Sequence, residues 1–133
     1  MGIPLMVWAV TRMNFKPDIE LYATLTQEVI YDDLLSNLGD SIVKVEKKLS
    51  YYSRKSVATL LRTGTLDFIN GSSNPRLYEL KVKSMASPLR FVCALEERTI
   101  ILLDVIYSSG SNGAVERRLS RAGLRLAEWR TRN

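Results

Sequence analysis

The stretch RLYELKVKSMASPLRF, residues 76–91, alternates apolar and charged side chains, stops at a Ser-Pro step and resumes with an arginine. Alternation with period two marks a half-buried strand. It puts Tyr78, Leu80 and Val82 on one side and Glu79, Lys81 and Lys83 on the other. The next run, from Leu89 to Leu95, alternates Leu89, Phe91, Cys93 and Leu95 against Arg90, Val92 and Ala94. With the larger apolar set turned to the core, Arg90 joins Lys81 and Lys83 on the open face, above a floor of Val92 and Ala94. In an antiparallel pair such neighbours come within about 5–8 Å. Three cations that close repel unless an anion offsets them, either Glu79 or a bound phosphate. The competing reading is a solvated sheet face whose lysines discourage edge-to-edge aggregation.

Working outward, strands are expected over 77–84, 89–95 and 100–107, the last two joined closely enough for a hairpin. Upstream, LMVWAVTR (5–12) reads as a first strand and NFKPDIE as a loop. A helix is expected from Thr24, where TLTQ has the capping-box form, to a stop at Gly39. Asp40 then caps a second helix, which carries Ile42, Val45, Leu49 and Tyr52 on one face and extends through Leu60 and Leu61. Lys44, Lys47, Lys48, Arg54 and Lys55 occupy the rest of it. NGSSNP (70–75) and SSGSNG (108–113) are loops, and the chain closes with a helix whose stripe is Val115, Leu119, Ala122, Leu126 and Trp129. The expected fold is α+β: an antiparallel sheet with an N-terminal strand, a two-helix hairpin on one face, three further strands and a C-terminal helix, all in a single domain over 1–133.

Composition narrows the chemistry. The 133 residues contain no histidine, which removes the usual zinc sites and every Ser-His-Asp or Cys-His arrangement. The one cysteine, Cys93, lies in an apolar strand and reads as an inert buried thiol. No metal and no cofactor is expected. No apolar run approaches the ~20 residues of a spanning helix, and the start of the chain lacks the basic region and cleavage site of a signal peptide. A cytoplasmic protein with no membrane association is expected. Residues 1–40 hold two basic and six acidic side chains, whereas residues 41–133 hold seventeen basic and eight acidic. A basic two-thirds of a small domain points to an anionic partner, nucleic acid first. On the last helix Arg118, Arg121 and Arg125 share a face suited to phosphate. SSGSNG lacks the Gly-Lys-Ser/Thr ending of a P-loop.

LYELKV, SPLRFVCAL, RTIILLDVIY and a basic helix ending AEWR together resemble the C-terminal half of HigB-type toxins of the RelE/ParE superfamily. The resemblance covers roughly residues 76–130; upstream, only the types of element agree. It implies a RelE-like fold and the toxin of a toxin–antitoxin pair. Such a toxin cleaves mRNA, often at the ribosome, and is held inactive by a cognate antitoxin that binds DNA. The implied reaction is attack of an RNA 2′-hydroxyl on its adjacent phosphate, which needs a base, an acid and cations that stabilise the developing charge. By this resemblance Lys81 and Lys83 fall on basic positions and Arg90 binds the scissile phosphate; the roles expected are phosphate binding by Arg90 and Lys83, base or charge stabilisation by Lys81, and protonation of the leaving oxygen by the nearby Tyr107. Arg118, Arg121 and Arg125 are candidate RNA contacts. Many HigB-type chains carry a histidine where this one has Asp104, and a lysine pair where it has SSGSNG. These departures favour the alternative of a non-catalytic protein- or RNA-binding module on the same fold, a ParE-like gyrase inhibitor included. A generic nucleic-acid binder with steeply salt-dependent affinity is the third reading.

Overall fold

A computed structural model describes residues 13–73, 75–83, 88–107 and 112–133, with the backbone alone for 70–73 and 112–116. The strand expected over 5–12, the SMAS link and most of the SSGSNG loop lie outside the described residues, as does the side chain of Val115.

The fold is α+β. In chain order come β1 (Asp18–Leu21), α1 (Val29–Leu38), a 3-10 turn (Gly39–Ser41), α2 (Ile42–Ser53), α3 (Val57–Arg62), β2 (Leu66–Ser73), β3 (Arg76–Val82), β4 (Leu89–Glu96), β5 (Thr99–Ile106) and α4 (Asn112–Arg132). The strands form one five-stranded sheet in the order β1-β5-β4-β3-β2. Strands β2 to β5 pair antiparallel, but β1 pairs parallel with β5. The sheet is therefore mixed, not antiparallel throughout. A parallel neighbour needs a long crossover, and here α1 to α3 and three strands separate the two.

The register assigns the two faces. Leu66, Leu80, Phe91 and Val105 are cross-strand partners on one face, and all are buried. Tyr107 follows on the side of Val105 and reaches α1, so the helices α1 to α3 cover this face. Asp67, Glu79, Val92 and Asp104 form the corresponding row on the other face. There α4 lies across β4 and β5, held by Arg121 on Asp104 and Arg130 on Glu96. The charged face is thus only half open. Val92 and Ala94, expected as the floor of an open site, are fully buried.

Local chemistry explains where the helices start and stop. Thr24 accepts from the N–H of Gln27 at 3.0 Å, as a capping box requires, but the backbone N–H of Thr24 donates to the carbonyl of Gln27 at 2.8 Å. This closes a separate turn, and α1 begins only at Val29. Gly39 ends α1 at φ +55°, a left-handed conformation that glycine adopts without a Cβ penalty. The second expected helix is two. Its chain leaves helical geometry after Arg54, and Ser56, in an extended conformation, accepts from Thr59 N–H to cap α3.

The stripe of α4 packs as its spacing dictates: Ala122 and Leu126 are fully buried, and Leu119 and Trp129 partly so. Gly123 sits on this helix, and a Cβ built there would meet only the Pro75 ring, at an ordinary 3.8 Å. Gly123→Ala is therefore expected to raise folding stability by about 0.5–1 kcal/mol, the helix-propensity difference. Chemical denaturation of the two proteins checks it.

Candidate functional site

The expected site residues on β3 and β4 do come together. Lys81 and Arg90 are direct cross-strand partners, and Glu79 is one register step away on the same face. Lys83 is exposed just beyond the end of β3. Side-chain exposures of 36% for Lys81 and 26% for Arg90 leave both within reach of a ligand.

Each of these cations already has a carboxylate. Lys81 Nζ lies 2.6 Å from Asp67 Oδ2, and Arg90 Nη1 lies 3.2 Å from Glu79 Oε1. Asp67 arrives on β2, a strand the sequence reading missed. Its hydrogen bond holds the Lys81 ammonium above its ordinary range, with a further contribution from Asp67 and Glu79 charge. Lys81 thus carries its proton at neutral pH. It suits charge stabilisation and not proton abstraction. The more exposed Lys81–Asp67 pair contributes only about 0–1 kcal/mol, so an incoming phosphate can displace that carboxylate at little cost.

Tyr107 is placed differently. The register partner of Arg90 on β5 is Ile106, whose neighbour Tyr107 turns toward the helices. Its hydroxyl donates to Asp33 Oδ2 of α1 at 3.0 Å. Burial, followed by the charge and hydrogen bond of Asp33, pushes its pKa well above the usual tyrosine value. The structure brings Lys81 and Arg90 together but leaves Tyr107 with α1.

The C-terminal arginines divide as well. Asp104 is 1% exposed, and Arg121 grips it through Nε at 2.7 Å and Nη2 at 2.8 Å. Arg125 stands 3.7 Å from the same carboxylate and donates to the Leu103 carbonyl at 2.7 Å. The remaining Asp104 lone pairs take the Val105 N–H at 2.8 Å. Arg121 and Arg125 are therefore bound inward, whereas Arg118 is half-buried near Tyr107, whose phenol it acts on electrostatically. The sequence reading missed Asp104 as the partner of both arginines. An isolated acid in a run of apolar strand residues is the signal that could have found it, since a buried charge demands a counter-ion.

Several buried or partly buried groups share one direction of shift. Burial raises the Cys93 thiol from its usual 9.0, and the Tyr52 and Tyr107 phenols from their usual 10.0. Below about pH 8.5 both folded and unfolded chains hold these protons. Above it the unfolded chain releases protons that the folded chain keeps, so stability falls with rising pH. The urea midpoint is expected to decline steadily from pH 9 to 11 by this linkage, and Tyr107→Phe to flatten the upper part of that decline.

No family model, curated protein or solved structure matches the chain. Among the described residues, no group of three or more carboxylates and cysteines is arranged to hold a metal ion. No helix among them is long and apolar enough to cross a membrane.

Proposed function

We propose that the chain is a RelE/HigB-like toxin, a ribonuclease that cleaves mRNA by 2′-hydroxyl attack on the adjacent phosphate. The observation that carries this reading is the cross-strand pair Lys81 and Arg90, partly exposed on one sheet face beside Glu79. Two cations side by side suit the two non-bridging oxygens of a phosphate. Arg90 takes the scissile phosphate through its planar fork. Lys81, kept protonated by Asp67, stabilises the charge that develops as the pentavalent centre forms. Glu79 already contacts Arg90, so a phosphate bound there brings its 2′-hydroxyl close to a carboxylate that can accept the proton. Lys83 contacts the strand alongside. Tyr107 is held by Asp33 on the opposite face, so water supplies the proton to the leaving oxygen.

The element order is compatible with the same reading: a strand, helices, antiparallel strands and a final helix are what the resemblance implies, with α3 as an additional short helix. In this reading the natural partners are mRNA or the ribosome and a cognate, DNA-binding antitoxin that holds the toxin inactive in the cytoplasm.

One observation favours the second reading, a non-catalytic binding module or ParE-like gyrase inhibitor. Lys81, Arg90 and Arg121 all lie against carboxylates of the chain itself, and Tyr107 is tied to Asp33. Induction of the chain in growing bacteria separates the two. Growth arrest with loss of message is expected. Arrest with DNA damage and intact message, or normal growth, would overturn the ribonuclease reading.

A further inference from the structure

Helix α2 carries cations that the sheet face does not use. Lys44, Lys48, Tyr51 and Lys55 follow one another at spacings of four, three and four along α2 and its first residues beyond, with Lys47 and Arg54 alongside. Those spacings make one helical face. Ile42, Val45 and Tyr52 face the core on the other side. The stripe is accessible: Lys44, Lys47 and Arg54 are exposed, Lys48 and Lys55 half-buried, and Tyr51 keeps 44% of its surface in solvent. Glu46 is the only acid between Lys44 and Lys55.

The contrast with the sheet face is electrostatic. None of these five cations forms an ion pair among the described residues, whereas Lys81, Arg90, Arg121 and Arg130 all do. Instead Lys48 and Lys55 place their ammonium groups over the Tyr51 ring, at 5.7 and 5.0 Å from its centroid. Uncompensated positive charge on one side of a helix is costly to the fold and complementary to a polyanion. An exposed aromatic ring at its centre is what single-stranded nucleic-acid sites add to such charge, because every base has a face that stacks.

We propose that the α2 stripe is a docking track for single-stranded RNA, with Tyr51 stacking a base and Lys44, Lys47, Lys48 and Lys55 holding the flanking phosphates. When a base takes the ring, the flexible ammonium groups move from it to the neighbouring phosphates. The track ends beside β3. The hydroxyl of Tyr52, next to Tyr51, donates to the Lys81 carbonyl at 2.9 Å, so the stripe ends where β3 ends and Lys83 is exposed. The C-terminal end of α2 thus lies against the end of β3, while the side chains of Lys81 and Arg90 turn to the opposite sheet face. The inference rests on the reading of RNA as the ligand but does not require that the chain cut it.

The test is fluorescence anisotropy with a labelled oligouridylate of about 12 nucleotides, a length a single-strand site can cover. The variants are Tyr51→Ala, Tyr51→Trp, the triple Lys44→Ala/Lys48→Ala/Lys55→Ala, and Arg90→Ala. Tyr51→Ala is expected to weaken binding by about 5- to 150-fold, the loss of one stacked base, and Tyr51→Trp to retain it. The triple variant should weaken binding further and make the slope of log affinity against log salt shallower by about 2, at ~0.7 per lost phosphate contact. Unchanged affinity and slope in the triple variant would overturn the track, even if the chain still cleaves RNA through Arg90. Stripe-dependent binding without any cleavage would support the track and sink the ribonuclease. Polyglutamate that competes as well as the oligonucleotide, together with no effect of Tyr51→Ala, would assign the stripe to an acidic protein and overturn the RNA proposal. Circular dichroism checks that the surface variants remain folded.

Discussion

Arg90→Ala is expected to lower RNA cleavage by about 10²–10³-fold, the usual loss when one group that stabilises transition-state charge is removed. Its effect on folding should be small. Arg90 and Glu79 are both partly exposed, at 26% and 20%, and such a pair contributes about 0–1 kcal/mol. Glu79 also keeps Lys81 as a neighbouring cation after the change. The two readouts therefore separate: activity falls while the denaturation midpoint barely moves. Tyr107→Phe should cost activity less than Arg90→Ala, because its hydroxyl is committed to Asp33 and not to the sheet face. Cleavage rates on the same RNA, measured beside unfolding curves, check all three proteins.

Asp104→Ala should do the reverse, costing about 3 kcal/mol of folding stability or more. Asp104 is buried and joins β5 to α4 through both Arg121 and Arg125. Removing one partner of a buried ion pair typically costs about 3–5 kcal/mol, because the remaining charge is left uncompensated. The low end is expected because Arg121 is 51% exposed and can turn to water. Arg125, only 19% exposed, has less freedom and keeps just the Leu103 carbonyl. The Val105 N–H also loses its acceptor. Asp104→Asn keeps a side-chain oxygen for that N–H but removes the charge, so its cost should fall between wild type and Asp104→Ala. Urea denaturation of the three proteins measures the series. Equal stability of Asp104→Ala and wild type would show that α4 is held by its apolar stripe alone.

The contrast between these two ion-paired sites explains how far the sequence could be read. The strands β3, β4 and β5 announce themselves by alternation or by β-branched runs, and α4 by its stripe, so three strands and the last helix fell within a residue or two of expectation. Two strands were not legible. DIEL at β1 alternates, but it is only four residues long and its parallel partner lies 81 residues further along the chain. LDFINGSS at β2 ends in residues that local propensity assigns to a turn, and pairing with β3 overrides that preference. The second omission carried into the site. Without β2 there is no Asp67, and without Asp67 the face appeared to hold three cations with one acid. Parity gave Lys81 and Arg90 their common face correctly, yet it could not say that α4 would cover the neighbouring half of that face. Nor could spacing distinguish Arg121 and Arg125, turned inward to Asp104, from Lys44, Lys48 and Lys55, which form no ion pair among the described residues. Both sets are basic residues on one helical face, and only tertiary placement separates them.

In the proposed function this chain uses the RNA 2′-hydroxyl as its nucleophile at the Lys81–Arg90 pair. The most direct measurement is cleavage of a short RNA, alone and on translating ribosomes, compared with the same RNA carrying a single 2′-deoxy nucleotide at the cleaved position. Cleavage of the all-ribose RNA to a 2′,3′-cyclic phosphate, absent for the deoxy substrate and for Arg90→Ala, is the predicted result. Cleavage that ignores the 2′-deoxy substitution, or no cleavage by the wild-type chain in either setting, would contradict it.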